Sequence, residues 1–422
     1  MRILIATDAF PPVCGGSGWS TYELARGLRR RGHHVVVVQP FSERAPVPVP
    51  YDGFDVIGVP AFAPSVPFVR NYFRNERLYG RLAAVLHALI RDERMDLVHA
   101  QHVLTGPAAV RAARAAGVPS VCTVRDYWPA CYWGDLIQHE GAGGLCPGCS
   151  ASAMTRCIRP HAGAAWPLAI PAIPYMRANL RLKQQDLGNA DVVIAVSRWM
   201  AADLKRRVPS LAETRIEAIP NAVDVAGIRA AAEATGPPMD GPYAVFAGKL
   251  ARNKGVRALV DVARDAHLGM PLVVIGDGPD GPFLADAAAR GCDIRMHAWM
   301  ARDDVFRWLH HATLLVFPSG WHEPLSRVLI EASALGVPMA AMDTGGTPDI
   351  LVDEETALLS SSVAELVRDA GRLAADEGLR RRLGAAARRR AEAQFDFPVV
   401  IDRMERLYGD LMATFQPRQP RP

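Results

Sequence analysis

No run of about 18 or more apolar residues occurs anywhere in this chain, so no segment reads as a helix that crosses a bilayer. The opening Met1-Arg2-Ile3-Leu4-Ile5-Ala6-Thr7-Asp8 has too short an apolar stretch for a secretory signal and reads instead as a first buried strand. A large charge imbalance is also missing. Lys and Arg number 48 against 44 Asp and Glu, a net +4, with an isoelectric point near 8.7. So mild a balance points away from nucleic acid as a partner. No internal repeat is visible, which excludes a solenoid or propeller. The seven cysteines are odd in number and follow no leader, so reduced thiols in the cytoplasm are the expectation.

What remains is ordinary enzyme material. Half of the 422 residues are hydrophobic and 22% are charged, with 35 Gly and 33 Pro. That length exceeds the roughly 250–300 residues one core supports, so two domains are expected. Short β-branched runs, each followed by a helical stretch, fall at Ile3–Ala6, Val35–Val38, Leu97–His99, Ser120–Val124 and Val192–Val196. They resume at Tyr243–Ala247, Leu272–Ile275, Ile294–His297, Leu314–Pro318 and Met339–Met342. Continuous apolar strands alternating with helices predict α/β architecture: two doubly wound, Rossmann-like domains with parallel sheets covered on both faces. The expected layout is residues 1–198 joined by a returning helix at 398–415, then 199–397, with a disordered tail at 416–422. Residues 126–185, rich in Trp, Pro, Gly and Cys, fit the alternation badly and read as an insertion. Arg380–Arg390 reads as a basic helix with a solvated face.

In such sheets ligands bind where strands end and helices begin, because helix N-termini present free amides and positive dipole. The strongest constellation of this kind is Pro318-Ser-Gly-Trp-His-Glu323-Pro-Leu325-Ser326-Arg-Val-Leu-Ile-Glu331. A helix beginning near Pro324 puts Glu323 just before its first turn and Glu331 two turns along. Amides near Leu325 and Ser326 then face an anion, while carboxylates accept paired hydrogen bonds from a sugar diol. Two acids alone are equally explained by helix-end electrostatics.

Further motifs accompany them in order: Gly15-Gly16, Ile219-Pro220-Asn221-Ala222-Val223-Asp224, Gly248-Lys249-Leu-Ala-Arg-Asn-Lys254-Gly255, Ile275-Gly-Asp-Gly-Pro279 and Gly345-Gly346-Thr-Pro-Asp349. Together with the spacing Glu323-x7-Glu331 they resemble glycosyltransferase family 4, a retaining family of GT-B fold, over nearly the whole chain. The resemblance implies two domains facing across a cleft, the first binding an acceptor and the second a nucleotide-sugar donor. It implies a retaining transferase, used in polysaccharide biosynthesis, that moves a hexose-type sugar from a nucleoside diphosphate to a saccharide, lipid-linked or small-molecule acceptor. Glu331 would hold the ribose and Glu323 the donor sugar. Lys249 and Lys254 would neutralise the diphosphate with amides near Gly16, Gly248 and Ser326, and Asn221 would line the donor site. Ala222 and Lys249 depart from the family pattern, which has Gly and Arg there. With no Asp-x-Asp in the chain, a metal bridge to the diphosphate has no obvious ligands, and catalysis is expected to need no cofactor.

A further departure lies at Arg125-Asp126, where the family commonly has His-Asp facing the acceptor. Arginine cannot act as a base, but locked by Asp126 it can bind a phosphate or a hydroxyl. His99 and His102 end the preceding strand and rank below it as acceptor-side candidates. Cys131, Cys146, Cys149 and Cys157 form C-x14-C-x2-C-x7-C within the insertion, with Gly141–Gly144 and Gly148 as filler. This set is compatible with structural zinc or an iron–sulfur cluster, with two disulfides, or with four plain thiols. The apolar stretch Trp166–Met176 beside Arg177, Arg181 and Lys183 suits peripheral contact with the inner face of a membrane, or else an acceptor-cleft wall. Rival readings are a nucleotide-sugar epimerase or hydrolase of the same fold and a noncatalytic nucleotide-sugar-binding protein.

Overall fold

Strand Arg2–Thr7 (β1) is almost entirely buried, which is what a continuous apolar run requires, since only an inner parallel strand is covered on both faces. In the computed structural model, which describes residues 1–41, 47–64, 69–137 and 145–416, β1 is an inner strand of the first of two sheets. Its companions are His34–Phe41 (β2), Val56–Pro60 (β3), Leu97–Gln101 (β4), Ser120–Val124 (β5), Val192–Ala195 (β6) and Arg215–Ala218 (β7). All pairings are parallel, in the order β3-β2-β1-β4-β5-β6-β7, with Leu4 in register with both Val36 and Val98.

The second sheet contains Ala244–Ala247 (β8), Leu272–Ile275 (β9), Ile294–His297 (β10), Leu314–Phe317 (β11), Met339–Met342 (β12) and Leu358–Ser360 (β13). Its order is β10-β9-β8-β11-β12-β13, again all parallel. Both sheets therefore reverse their winding direction once, between β1 and β4 and between β8 and β11. Such switch points leave a crevice at the carboxyl ends of the strands. The second core is built from Phe246, Leu259, Leu272, Val274, Leu314 and Val316 with helix residues including Leu366 and Leu383.

The chain divides into two compact units, residues 1–220 with 401–422, and residues 221–400. The first boundary falls at Pro220 rather than near residue 198, because helix Arg198–Arg207 leads into β7, and β7 pairs with β6 in the first sheet. Strands β3, β7 and β13 escape the sequence pattern: β3 and β7 are only partly buried and β13 is three residues long. The last helix, Phe397–Thr414, serves the first unit from Ile401 onward. Its buried residues include Val400, Met404, Leu407 and Tyr408, and Arg403 donates to the Ala218 carbonyl at the end of β7.

The basic helix Glu377–Gln394 does more than face solvent. Arg380 donates to the carbonyls of Leu373 and Ala374, and Arg390 to those of Ile350 and Asp349. Between β5 and β6 the described helices begin at Ala151–Ala162, continue through short turns and end in Ile173–Gly188. The filler Gly141–Gly144 and the tail from 417 onward lie outside the described residues.

Candidate functional site

In the second unit the loops that leave the strands at the switch point are pressed together by glycines. Gly255, at φ +68°, would put a Cβ 1.8 Å from the carbonyl oxygen of Pro318, so the loop after β8 can lie against the loop after β11 only without a side chain there. Gly345, at φ +56°, likewise approaches the backbone of His322 and Glu323, and the Gly346 amide donates to the Glu323 carbonyl at 2.7 Å. The Thr344 hydroxyl donates to the Ser319 carbonyl at 2.8 Å. The loop after β11, Pro318–Ser326, is thus held in place by the loops after β8 and β12.

That loop is longer than the sequence suggests. The helix runs Arg327–Leu335 with Ser326 in extended backbone conformation at its N-cap, so Pro324 belongs to the loop and Glu331 is one turn into the helix, not two. Ser326 makes no side-chain cap hydrogen bond. The first-turn amides of this helix therefore depend on some other acceptor.

Glu323, 8% exposed, forms an ion pair with Lys254 (Nζ to Oε1, 2.8 Å), and the Lys254 ammonium also stands 4.9 Å from the Trp321 ring centre. This pair bridges the loops after β8 and β11, which is the switch point itself. Glu331, also 8% exposed, accepts on Oε1 from Arg302 and from Arg327, each at 3.2 Å. Gly248 and Lys249 follow β8 and are exposed, whereas Leu325 and Ser326 are buried. Asn221, half-buried, opens the second unit just ahead of Asp224, which caps helix Val225–Glu233.

In the first unit Gly16 is exposed at the start of helix Gly16–Arg30, behind β1. The switch point there is occupied by His102, just past β4. Its Nδ1 lies 3.3 Å from Asp8 Oδ2, past the end of β1, and its Nε2 lies 3.1 Å from Asp126 Oδ2, past the end of β5. Asp8 also accepts from the amides of Leu104 and Thr105 and from the Thr105 hydroxyl. Burial pulls the imidazole toward neutrality, but the carboxylates of Asp126 and Asp8 more than offset it and push His102 up to about 10. The backbone of His102 sits at φ +118°, a strained value for a side chain of this size. Asp126, expected to lock Arg125, is instead engaged by His102 and by the Trp128 amide at 2.8 Å. Arg125 is half-buried directly after β5, and its charge helps depress His99.

His99 is not a site residue. It is fully buried, with Nδ1 2.5 Å from the Tyr408 hydroxyl and Nε2 2.7 Å from the Thr123 hydroxyl. Burial, aided by Arg125, pulls it down to about 3, so it is a neutral interior histidine that ties the last helix to β4 and β5. Lys183 is not a surface cation either. It is 5% exposed, 5.6 Å from the Tyr132 ring centre, and burial pulls it down to about 8. Arg177 and Arg181 are exposed, as are Leu168 and Ile170 in a segment broken into short helices. Among the described residues no helix is long and apolar enough to cross a membrane.

Among the described residues no group of three or more His, Cys, Asp or Glu is placed to hold a metal ion. All seven cysteines are free. The Cys131 thiol donates to Asp135 Oδ1 at 3.8 Å and the Cys146 thiol to the Gly148 carbonyl at 3.6 Å.

Sequence reasoning missed Asp8, Arg302, Arg327 and Trp321. Arg327 had a legible signal, since it stands four residues before Glu331 on the same helix face. Asp8, the first acid after the first strand, had a weaker one. Arg302 comes from a different helix, Arg302–His310, and nothing local announces it.

A family model described as Glycosyltransferase Family 4 matches residues 14–226, and one described as Glycosyl transferases group 1 matches residues 228–390. The glycogen synthase of Mycobacterium tuberculosis is 27% identical over 446 aligned positions, covering 100% of this chain and 97% of that protein. The GDP-mannose-dependent alpha-mannosyltransferase of Mycolicibacterium smegmatis is 29% identical over 427 positions, covering 96% of each. Among solved structures, the sucrose-phosphate synthase of Thermosynechococcus elongatus matches with a TM-score of 0.72 at 20% identity, over 98% of this chain and 100% of that one. The GT-B-like pair of parallel α/β sheets is therefore the fold observed.

Proposed function

The chain belongs to glycosyltransferase family 4 and is a glycosyltransferase; from that premise we propose that it moves a hexose-type sugar from a nucleoside-diphosphate sugar to an acceptor hydroxyl with retention at the anomeric carbon. The observation that carries this reading is the Lys254–Glu323 pair at the β8/β11 switch point, ahead of the Arg327–Leu335 helix, with Glu331 one turn inside it. A nucleoside-diphosphate sugar presents what these groups answer. Its ribose diol suits the Glu331 carboxylate, held in orientation by Arg302 and Arg327. Its diphosphate suits the ammonium of Lys254, the exposed Lys249 and the helix amides. Its sugar hydroxyls suit Glu323, released from Lys254 as that cation turns to phosphate. As the glycosidic bond breaks the leaving diphosphate gains charge, and cations and amides already fixed there lower the barrier most.

The lack of a free base among the candidates of the first unit supports retention. His102, at about 10, carries its proton at neutral pH and cannot take another, and His99 is sealed inside the sheet. Asp126 is occupied by His102 and an amide, and arginine is never a base. The proton of the attacking hydroxyl then goes to the departing phosphate oxygen on the same face of the sugar. The acceptor is a saccharide, a small molecule or a lipid-linked carrier. The last would be met at the inner membrane face through exposed Leu168 and Ile170 beside Arg177 and Arg181.

A thermal-shift panel of UDP-, GDP- and ADP-sugars identifies the donor, because only a bound species raises the melting temperature. Proton NMR of the first product formed with that donor then reads the anomeric centre. No shift with any nucleotide sugar would overturn the donor assignment, and an inverted product would overturn retention.

A further inference from the structure

Helix Ile173–Gly188 carries Arg177 and Arg181 one turn apart, and among the described residues neither makes an ion pair. Neighbouring arginines do: Arg111 grips Asp186 at 2.7 Å, and Arg206 and Arg207 share Asp203. Two like charges at this spacing repel, so the helix by itself gains nothing from them. Both line a cavity of about 220 Å³ in the first unit, together with Pro147, Gly148, Cys149 and Arg207. Among the described residues no acid lines it. We propose that this cavity binds the phosphate group of a ligand distinct from the nucleotide-sugar donor.

Its walls are fixed before any ligand arrives. Arg207 is held by Asp203, Nε to Oδ2 at 2.8 Å, and its Nη1 donates to the carbonyls of Cys146 and Pro147 at 2.9 and 3.2 Å. The Cys146–Cys149 turn is thereby tied to the end of helix Arg198–Arg207. Helix Ile173–Gly188 is tied twice. Gln184 Nε2 donates to the Pro129 carbonyl at 2.8 Å, and the Ser210 hydroxyl donates to the Gln184 carbonyl at 2.8 Å. Gly188 lets that helix lie against Ser210, since a Cβ there would stand 2.5 Å from the Ser210 carbonyl oxygen.

The donors suit a phosphate. Each guanidinium fork matches a pair of phosphate oxygens, which a single ammonium does not. The amides of Gly148 and Cys149 have no acceptor among the described residues. They stand just ahead of helix Ala151–Ala162, whose N-terminal dipole adds positive potential. Arg207 has Asp203 as its counter-ion, so the surplus charge is that of Arg177 and Arg181. Those two charges answer the roughly −1.5 to −2 of a phosphate monoester at neutral pH.

Size and place separate this ligand from the donor. The cavity falls below the roughly 300–1,000 Å³ of sites for drug-sized ligands, so it takes a phosphate or diphosphate and not a whole nucleotide sugar. Strands β6 and β7 start in register at Val192 and Arg215, and helix Arg198–Arg207, about 15 Å long, returns from the carboxyl end of β6. Arg207 and the lining residue Pro209 therefore lie toward the amino ends of the strands, away from His102 and Asp126 at the switch point.

The test is titration calorimetry of the full chain with inorganic pyrophosphate, at ionic strength held constant with sodium chloride, beside sedimentation with phosphatidylglycerol or phosphatidylcholine vesicles. Wild type should bind pyrophosphate in this cavity as well as at the donor site. Arg177→Gln with Arg181→Gln should weaken the first by roughly tenfold or more and spare nucleotide-sugar binding, whereas Lys254→Ala should weaken only the second. Arg177→Lys with Arg181→Lys should keep part of the affinity, because the charge survives and the fork does not. Arg70→Gln with Arg74→Gln, which removes the same exposed charge elsewhere on the first unit, should change neither. Pyrophosphate binding that depends on Arg177 and Arg181 assigns a soluble phosphate ester to the cavity, and such dependence on phosphatidylglycerol vesicles alone assigns a lipid phosphate. Binding of both probes unchanged by Arg177→Gln with Arg181→Gln, or reduced as much by Arg70→Gln with Arg74→Gln, would overturn the proposal and leave the donor site, which Lys254→Ala reads, untouched.

Discussion

His102 stands between two carboxylates at the first unit's switch point, and its ionisation can be tested without knowing any substrate. Between two carboxylates, at 3.3 and 3.1 Å, its pKa rises from the usual 6.5 to about 10 although burial opposes the charge. A raised pKa means that the folded state holds the proton more tightly than the unfolded chain. The resulting stabilisation is complete below the unfolded value near 6.5, shrinks as pH rises, and is gone above about 10. The full difference between those values corresponds to roughly 4–5 kcal/mol. Because Asp8 and Asp126 remain partly reachable by water, about 2–4 kcal/mol is the sounder expectation. In protein isotope-labelled at histidine, the ring signal lost in His102→Gln should stay at its protonated shift from pH 6 to pH 9 or so, while exposed histidines titrate near 6.5. The unfolding free energy of wild type minus that of His102→Gln should be greatest near pH 6 and fall steadily toward pH 10 or so. A His102 signal that titrates near 6.5, or a difference flat across that window, would refute the reasoning that the imidazolium is locked between Asp8 and Asp126.

Glu331→Ala should weaken nucleotide-sugar binding by roughly 2–4 kcal/mol, since a charged contact to ribose is lost and Arg302 and Arg327 lose their shared partner; titration calorimetry giving wild-type affinity would remove Glu331 from the donor site. Arg125→Ala should lower turnover well below that of Arg125→Lys, which keeps the charge and loses the fork, and Arg125→His should restore nothing; equal turnover in all of them would leave Arg125 with a purely structural role. Gly255→Ala should destabilise the second unit by about 2–4 kcal/mol, because a Cβ there would meet the Pro318 carbonyl at 1.8 Å on a left-handed backbone. An unchanged melting temperature would mean that the two loops do not need their close approach.

Most of the ten strands legible in the sequence are buried on both faces, which leaves a continuous apolar run to read, whereas β2 and the edge strand β10 are only partly buried and were legible from their apolar residues alone. Strand β7, Arg-Ile-Glu-Ala at the edge of the first sheet, is exposed or half-buried throughout, so its residues answer to solvent as much as to the sheet. Missing it moved the expected boundary between units upstream by a helix and a strand. The acids Glu323 and Glu331 were legible because they keep a fixed spacing along one loop and helix. The start of that helix was not, because Pro324 suits a first turn and only the clamp from Thr344 and Gly346 shows that the loop continues to Ser326.

The same contrast separates the two histidines of β4 and its end. In sequence, His99 and His102 are equivalent polar residues near a strand terminus. In the sheet, His99 is in register with Ile5 and Val121 and closes under Tyr408, a residue from the far end of the chain. His102 has passed the last paired residue, where the switch point opens and carboxylates from β1 and β5 converge. One is made neutral by burial, aided by Arg125, and the other is kept charged by two acids, and that difference depends on which strands are neighbours. A single sequence gives the strands but not their order across the β1/β4 switch. The paired charges at the two switch points, Asp8–His102–Asp126 in one unit and Lys254–Glu323 in the other, are therefore the features that had to be seen in three dimensions.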